Sequence, residues 1–145
     1  MSTNDKFKYV EAMLYNYKNT IAEIKILKKD LEILENDYRG VGSIGCEEKS
    51  GPTNAFNSNV ENEVIKRAEK IQRLKRKIRL KEIEIENIND SIDSLLDDEQ
   101  LLIRERYFNK KSNKYIASLL NVTEQTSCIY KAKIINKLIP LLISN

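Results

Sequence analysis

The stretch Ser112-Asn113-Lys114-Tyr115-Ile116-Ala117-Ser118-Leu119-Leu120-Asn121-Val122-Thr123-Glu124-Gln125-Thr126 decides how this chain folds, because it reads as a short helix, a tight turn and the start of a second helix. Ser112 and Thr123 are both of the residue types that cap helix N-termini, where a side-chain oxygen takes up an orphan backbone N–H. Their separation leaves room for one short helix and a turn. Ile116, Ala117 and Leu120 fall on one face of that helix, and the small Ala117 admits a close helix crossing. Asn121 is expected to make the bend, since Asn tolerates the left-handed backbone conformation usually left to Gly. Val122 is expected to plug the corner. The pattern is that of a helix-turn-helix.

Charge extends this reading. From residue 101 onward there are eight Lys/Arg (Arg104, Arg106, Lys110, Lys111, Lys114, Lys131, Lys133 and Lys137) against Glu105 and Glu124, a net of +6 in a chain of net +3, so the preceding residues sum to −3. Lys110, Lys111 and Lys114 cluster at the mouth of the first helix, where cations and a helix N-terminus can face phosphates together. Asn113, Thr123 and Lys131 are further candidates, and Lys133 and Lys137, one helical turn apart, make a second grip. On the second helix Gln125 is suited to an adenine edge and Glu124 to a cytosine amino group, with Cys128 and Ile129 on the same flank. Double-stranded DNA is the expected partner.

Residues 96–138 resemble the fourth conserved region of bacterial sigma-70 factors. The likeness rests on Arg106-Tyr107-Phe108-Asn109-Lys110-Lys111-Ser112, Ile116-Ala117, Leu119-Leu120, Val122-Thr123-Glu124-Gln125-Thr126 and Lys137-Leu138. More narrowly, the chain resembles small phage and prophage transcriptional regulators of the ArpU/RinA type, which join a helical N-terminal part to a sigma-like helix-turn-helix. That likeness is specific over about the last third; the remainder matches in layout and in the run Gly51-Pro52-Thr53-Asn54-Ala55-Phe56-Asn57-Ser58. Membership implies a regulator of phage gene expression acting on late or packaging genes, and it allows RNA polymerase as a partner. The sequence departs from the sigma pattern at Ser127, where the family usually buries Val or Ile, and at Lys131, where Leu is common. Tyr130, Ile134, Ile135 and Leu138 recur at helical spacing and are expected to rebuild that face. Cys128 and Ile129 replace the Lys and Ser of many sigma factors, so base preference does not carry over.

Upstream, all four Gly (Gly40, Gly42, Gly45, Gly51) and Pro52 fall close together, which predicts a loop at about 40–60. Before it, Val10, Leu14, Tyr17, Ile21, Ile24, Leu27, Leu31, Leu34 and Tyr38 keep the spacing of one long amphipathic helix. After it, Val64, Ala68, Ile71, Leu74, Ile78, Ile85, Ile88, Ile92 and Leu95 do the same, interrupted by Lys81 and Glu82. Each helix is expected to run about thirty-five residues, roughly 50 Å, and the two to pack as a hairpin. Residues 66–81 hold nine cations and only Glu69, whereas 82–99 hold eight acids and no base. Antiparallel pairing then sets Asp30, Glu32, Glu35 and Asp37 beside the basic half and Lys6, Lys8 and Lys18 beside the acidic half, and a parallel pairing sets like charges together. A basic run on a long helix is more often a solvated face than a phosphate track.

The composition excludes several functions. With no His in the chain, His-based acid catalysis, His-assisted nucleophiles and His-ligated metals are ruled out, and Cys46 and Cys128 make neither a zinc site nor a disulfide framework. No Gly-rich phosphate loop occurs, so no enzyme, cofactor, metal or small-molecule substrate is expected. The start, Met1-Ser2-Thr3-Asn4-Asp5-Lys6, lacks an apolar signal region, and the chain reads as cytoplasmic. The apolar run Ile134, Ile135, Leu138, Ile139, Leu141, Leu142, Ile143 is too short to span a membrane and is expected to close a core or a subunit contact, with Pro140 ending the helix. A two-helix hairpin buries little on its own, which favours a homodimer. The expected architecture is all-α: a hairpin over 1–95, then a helix-turn-helix of sigma-70 region 4 type over 96–145. The expected function is sequence-specific DNA-binding transcription regulation, an activator first. Two alternatives stay open, a small-terminase-like DNA-packaging subunit and a coiled-coil adaptor that docks protein without binding DNA.

Overall fold

The computed structural model describes residues 1–44 and 54–144. Among these the chain is all-helical: α1 (Thr3–Tyr15), α2 (Tyr17–Ile44), α3 (Asn54–Asp93), α4 (Asp97–Ile103), a π-helical turn (Arg104–Phe108), α5 (Asn113–Leu120) and α6 (Glu124–Leu142). They form two compact units, Met1–Ile21 with Ile83–Asn145, and Ala22–Glu82. The boundary read from the sequence at 95 does not coincide with this division. Val10 and Leu14 are fully buried, in one cluster with Ile88, Ile92, Tyr107, Ile134, Ile135 and Leu138, so α1 belongs with the C-terminal helices. Both residues continue the apolar phase of α2, and periodicity alone cannot say which partner a stripe meets.

The N-terminal helix is thus two helices. Ser2 starts α1 with a reciprocal cap: its Oγ accepts from the Asp5 N–H (3.2 Å), while its own N–H donates to Asp5 Oδ2 (3.2 Å). Asn16 (φ −88°, ψ 2°) ends α1. Its N–H still donates to the Ala12 carbonyl (3.0 Å), and its carbonyl accepts from Thr20 (2.8 Å), so the chain runs on with a local irregularity. The rings on either side of it pack on the π-helical turn, Tyr15 meeting Tyr107 edge-on (4.9 Å, 76°) and Tyr17 stacking on Phe108 (4.0 Å, 13°).

Helix extends into both ends of the stretch expected as a loop at 40–60. α2 runs through Gly40 and Gly42 to Ile44, and α3 starts at Asn54, giving helices of 28 and 40 residues. A single Gly inside a helix costs only about 1 kcal/mol, which a long helix tolerates. Gly45, Cys46, Gly51 and Pro52 lie outside the described residues.

In the Ala22–Glu82 unit three ion pairs join α2 to α3: Glu23–Lys81 (2.7 Å), Lys28–Glu82 (2.8 Å) and Glu35–Lys75 (3.4 Å). Glu23 and Lys28, early in α2, meet the later Lys81 and Glu82 of α3, whereas Glu35 meets the earlier Lys75, so these segments run antiparallel. Glu35–Lys75 is a pair of the expected kind, and Lys81 and Glu82, which interrupt the apolar stripe, carry the other two bridges. The neighbouring lysines hold the Glu23 and Glu82 carboxyls below the usual range, chiefly by hydrogen bonds from Lys81 and Lys28 respectively. Ile24 and Ile78 are the buried apolar side chains of this unit among the described residues, while Val64 and Ala68 are exposed.

In the other unit α3 hands over to α4 through polar groups. The Leu96 N–H donates to Glu99 Oε1 (3.1 Å), and Gln100 Nε2 donates to the Leu95 carbonyl (3.0 Å). Glu99 is only 2% exposed, and Lys137 of α6 donates to its Oε2 (2.7 Å). The π-helical turn, closed by Asn109 N–H to the Arg104 carbonyl (2.9 Å), accompanies burial of the consecutive residues Tyr107 and Phe108. Pro140 does not end α6, which continues to Leu142; two residues beyond a proline suffice to close the last turn, where the Ile143 N–H donates to the Ile139 carbonyl (2.9 Å). Ile134, Ile135 and Leu138 are fully buried, so the C-terminal apolar run closes the core, although Leu141 is exposed. No helix among the described residues is long and apolar enough to cross a membrane.

Burial would raise the Glu99 carboxyl, but the Lys137 hydrogen bond, the Leu96 N–H and the Lys137 charge outweigh it and hold the group below its ordinary 4.5. A lowered carboxyl stabilises the fold above the ordinary value, and that contribution is lost as pH falls through the native one. Glu99→Gln should therefore cost about 1–3 kcal/mol at pH 7 and much less at pH 3, compared by urea unfolding of both proteins at each pH.

Candidate functional site

α5 and α6 follow from their caps. Ser112 Oγ accepts from the Tyr115 N–H (3.1 Å), and Thr123 Oγ1 accepts from the Thr126 N–H (3.1 Å) while donating to Thr126 Oγ1 (2.8 Å). Between them Asn121 takes the left-handed conformation (φ 57°, ψ 43°), and the Val122 N–H donates to the Ala117 carbonyl (2.9 Å). Ile116 and Ala117 are buried and Leu120 half-buried, as their spacing requires. Val122 is not the corner plug. It is 38% exposed, because the turn is closed by its backbone and the crossing is filled by Ile116, Ala117 and the buried Ser127.

The start of α6 leaves a flank free of the core. Glu124, Gln125 and Ile129 are exposed, Ile129 by 54%, and Cys128 is half-buried. Ser127, the departure from the sigma pattern, is buried where a larger residue was expected, and Tyr130 is half-buried beside it. Tyr130, Thr126, Ile129 and Lys133 line a cleft of about 300 Å³ with Asp98, Leu120 and Val122. Burial first, then the carboxylates of Glu99 and Asp98, push the Tyr130 hydroxyl above its usual range.

The cationic candidates divide into two groups. Lys110, Lys111 and Lys114 are exposed around the start of α5 and make no ion pair among the described residues; the Lys111 ammonium lies over the Tyr115 ring (5.2 Å). Lys133 is exposed at the cleft. Lys131 and Lys137 are engaged within the fold instead, Lys131 with Glu11 (3.4 Å) and Lys137 with Glu99 (2.7 Å). Asn113 and Thr123 are likewise occupied, Asn113 accepting from Arg106 Nε (2.9 Å) and Thr123 capping its helix. A spacing argument treats all cations on a helix alike and misses which of them face a carboxylate on another helix.

Two positioning residues were missed. Arg106 braces the segment before α5 by donating to Asn113 Oδ1 and to the Lys111 carbonyl (3.3 Å), with its guanidinium 5.6 Å from the Tyr15 ring centroid and 5.9 Å from that of Tyr107. Lys18, expected beside the acidic half of α3, donates instead to Asn109 Oδ1 (3.0 Å). It lies 91 positions away in the chain, a pairing that no local pattern signals. Lys110 itself takes a positive φ (55°), which the Lys-Lys sequence gave no reason to expect.

No family model matches this chain, and neither a curated protein nor a solved structure matches it.

Two substitutions separate conformation from charge. Lys110→Gly should leave stability unchanged or raise it by up to about 1 kcal/mol, because Gly adopts positive φ without steric cost. Thr123→Ala should lower it by about 1 kcal/mol through the lost cap. Thermal unfolding of each checks both signs.

Proposed function

We propose that this chain is a sequence-specific DNA-binding transcriptional regulator of phage or prophage type, in which a helical hairpin carries a helix-turn-helix of sigma-70 region 4 type. The observation that carries the reading is a pairing of features in one unit. A short helix and a longer one are joined by a tight left-handed turn, with the exposed flank of Glu124, Gln125 and Ile129 not needed by the core. At the start of the shorter helix Lys110, Lys111 and Lys114 face solvent without ion pairs among the described residues. Gln125 and Glu124 then read base edges, Cys128 and Ile129 pack against them, and the free lysines hold phosphates. Lys131 and Lys137 keep the reading helix in place instead of gripping DNA. Regulation of late or packaging genes and a contact with RNA polymerase rest on the family resemblance. Homodimerisation is supported by the sparse core of the Ala22–Glu82 unit, where Ile24 and Ile78 are the buried apolar side chains among the described residues.

The protein-docking adaptor is the second reading, and the exposure of Leu119, Val122 and Ile129 favours it. Fluorescence anisotropy with a random duplex pool and a selected site, over a salt series, separates the two. Four free lysines set a slope of log affinity against log salt of at least about −3.5, and the selected site should bind far more tightly than the pool. Gln125→Ala should then lose about 1–3 kcal/mol of discrimination at one base pair. An adaptor shows no duplex affinity even at low salt.

A further inference from the structure

The second concentration of positive charge lies on α3, within the Ala22–Glu82 unit. Within 66–81, Lys75 bridges to Glu35 and Lys81 to Glu23 across to α2, and Arg79 bridges to Glu82 (3.6 Å) within α3, so these cations are engaged inside the unit. A different set shares one flank. Lys66, Lys70, Arg73 and Lys77, spaced by four, three and four residues, line one shallow groove with Leu74 and Glu69. At 1.5 Å per residue they span about 16 Å of helix.

This flank is not built as an ordinary solvated face. Solvated helices intersperse signs, whereas here each cation has a like charge one turn away, Lys66 with Lys70, Lys70 with Arg73, and Arg73 with Lys77, an arrangement that destabilises an isolated helix. The acids that act on it are few. Arg73 is 3.9 Å from Glu69, both side chains well exposed, and Lys77 acts on Glu23 only through its charge. Lys66 and Lys70 make no ion pair among the described residues. A row of four cations with a single acid inside it is complementary to a regular row of negative charges.

We infer that the flank formed by Lys66, Lys70, Arg73 and Lys77 is a second, sequence-independent binding surface for the phosphate backbone of duplex DNA. The inference rests on the DNA-binding reading of α5 and α6 and adds to it: the helical hairpin supplies affinity and salt dependence, and α6 supplies sequence preference. Phosphate contacts carry no base information, so loss of the flank weakens all sequences alike.

The test uses the full chain in three forms: unaltered, Lys66→Gln/Lys70→Gln/Lys77→Gln, and Lys70→Glu. Each is titrated with the random pool and with the selected site over the same salt series, and each is melted. The triple variant should reduce the magnitude of the salt slope by about two to three and lower affinity for both DNAs by the same factor, leaving the preference for the selected site intact. Lys70→Glu should weaken binding while raising the melting temperature, because it turns two like-charge neighbours into opposite ones. A flank that only solvates the helix gives the same melting shift with unchanged affinity and slope, and that result overturns the inference while the DNA-binding reading stands. Absence of duplex affinity in the unaltered chain overturns both.

Discussion

Tyr107 holds together the unit formed by Met1–Ile21 and Ile83–Asn145. It is fully buried in the π-helical turn, its hydroxyl donates to Glu11 of α1 (2.7 Å), and its ring meets Tyr15 edge-on. The same Glu11 oxygen accepts the Lys131 ammonium of α6, so one carboxylate links α1, the π-helical turn and the long C-terminal helix. Burial, then the hydrogen bond and charge of Glu11, raise the Tyr107 hydroxyl far above its ordinary range and keep it a donor at any physiological pH. Around this point the segment before α5 is fixed by Arg106, which reaches Asn113 and the Lys111 carbonyl, and by Lys18, which reaches Asn109. The exposed lysines therefore project from a braced stretch of backbone. Bracing of that kind limits the ordering entropy a binding surface must give up when it meets a partner.

The local devices were legible in the sequence. Ser112 and Thr123 cap as their chemistry dictates, Asn121 takes the left-handed turn, and Ile134, Ile135 and Leu138 bury the face left open by Ser127, because each depends on residues within a few positions. Long-range choices were not legible. Val10 and Leu14 fit the stripe of α2 equally well, and only packing against the C-terminal helices reveals their partner. Lys131 and Lys137 looked like phosphate ligands until Glu11 and Glu99 came beside them from other elements. Gly40 and Gly42 suggested a loop, but a long helix absorbs their modest cost. The π-helical turn left no signal, since its wider hydrogen bonding depends on where Tyr107 and Phe108 are drawn.

The two units solve different electrostatic problems. Between α2 and α3 the charges select one alignment, with Glu23–Lys81, Lys28–Glu82 and Glu35–Lys75 replacing a deep apolar core. Each such exposed pair is worth at most about 1 kcal/mol, so together they specify register more than they stabilise it. In the other unit, Glu11 and Glu99 engage Lys131 and Lys137, while Lys110, Lys111, Lys114 and Lys133 stay exposed without an ion pair among the described residues. That separation of structural from available charge is the physical basis of the DNA-binding proposal.

The central claim is most directly tested by titrating isotope-labelled protein with duplex DNA and following backbone amide shifts by NMR. The account predicts that amides of 110–114 and 123–129 move together and saturably, whereas those near Glu11, Glu99 and the buried part of α6 stay in place. Shifts absent from both segments, or confined to the exposed apolar residues Leu119, Val122 and Ile129 on addition of protein extracts and not of DNA, would contradict it.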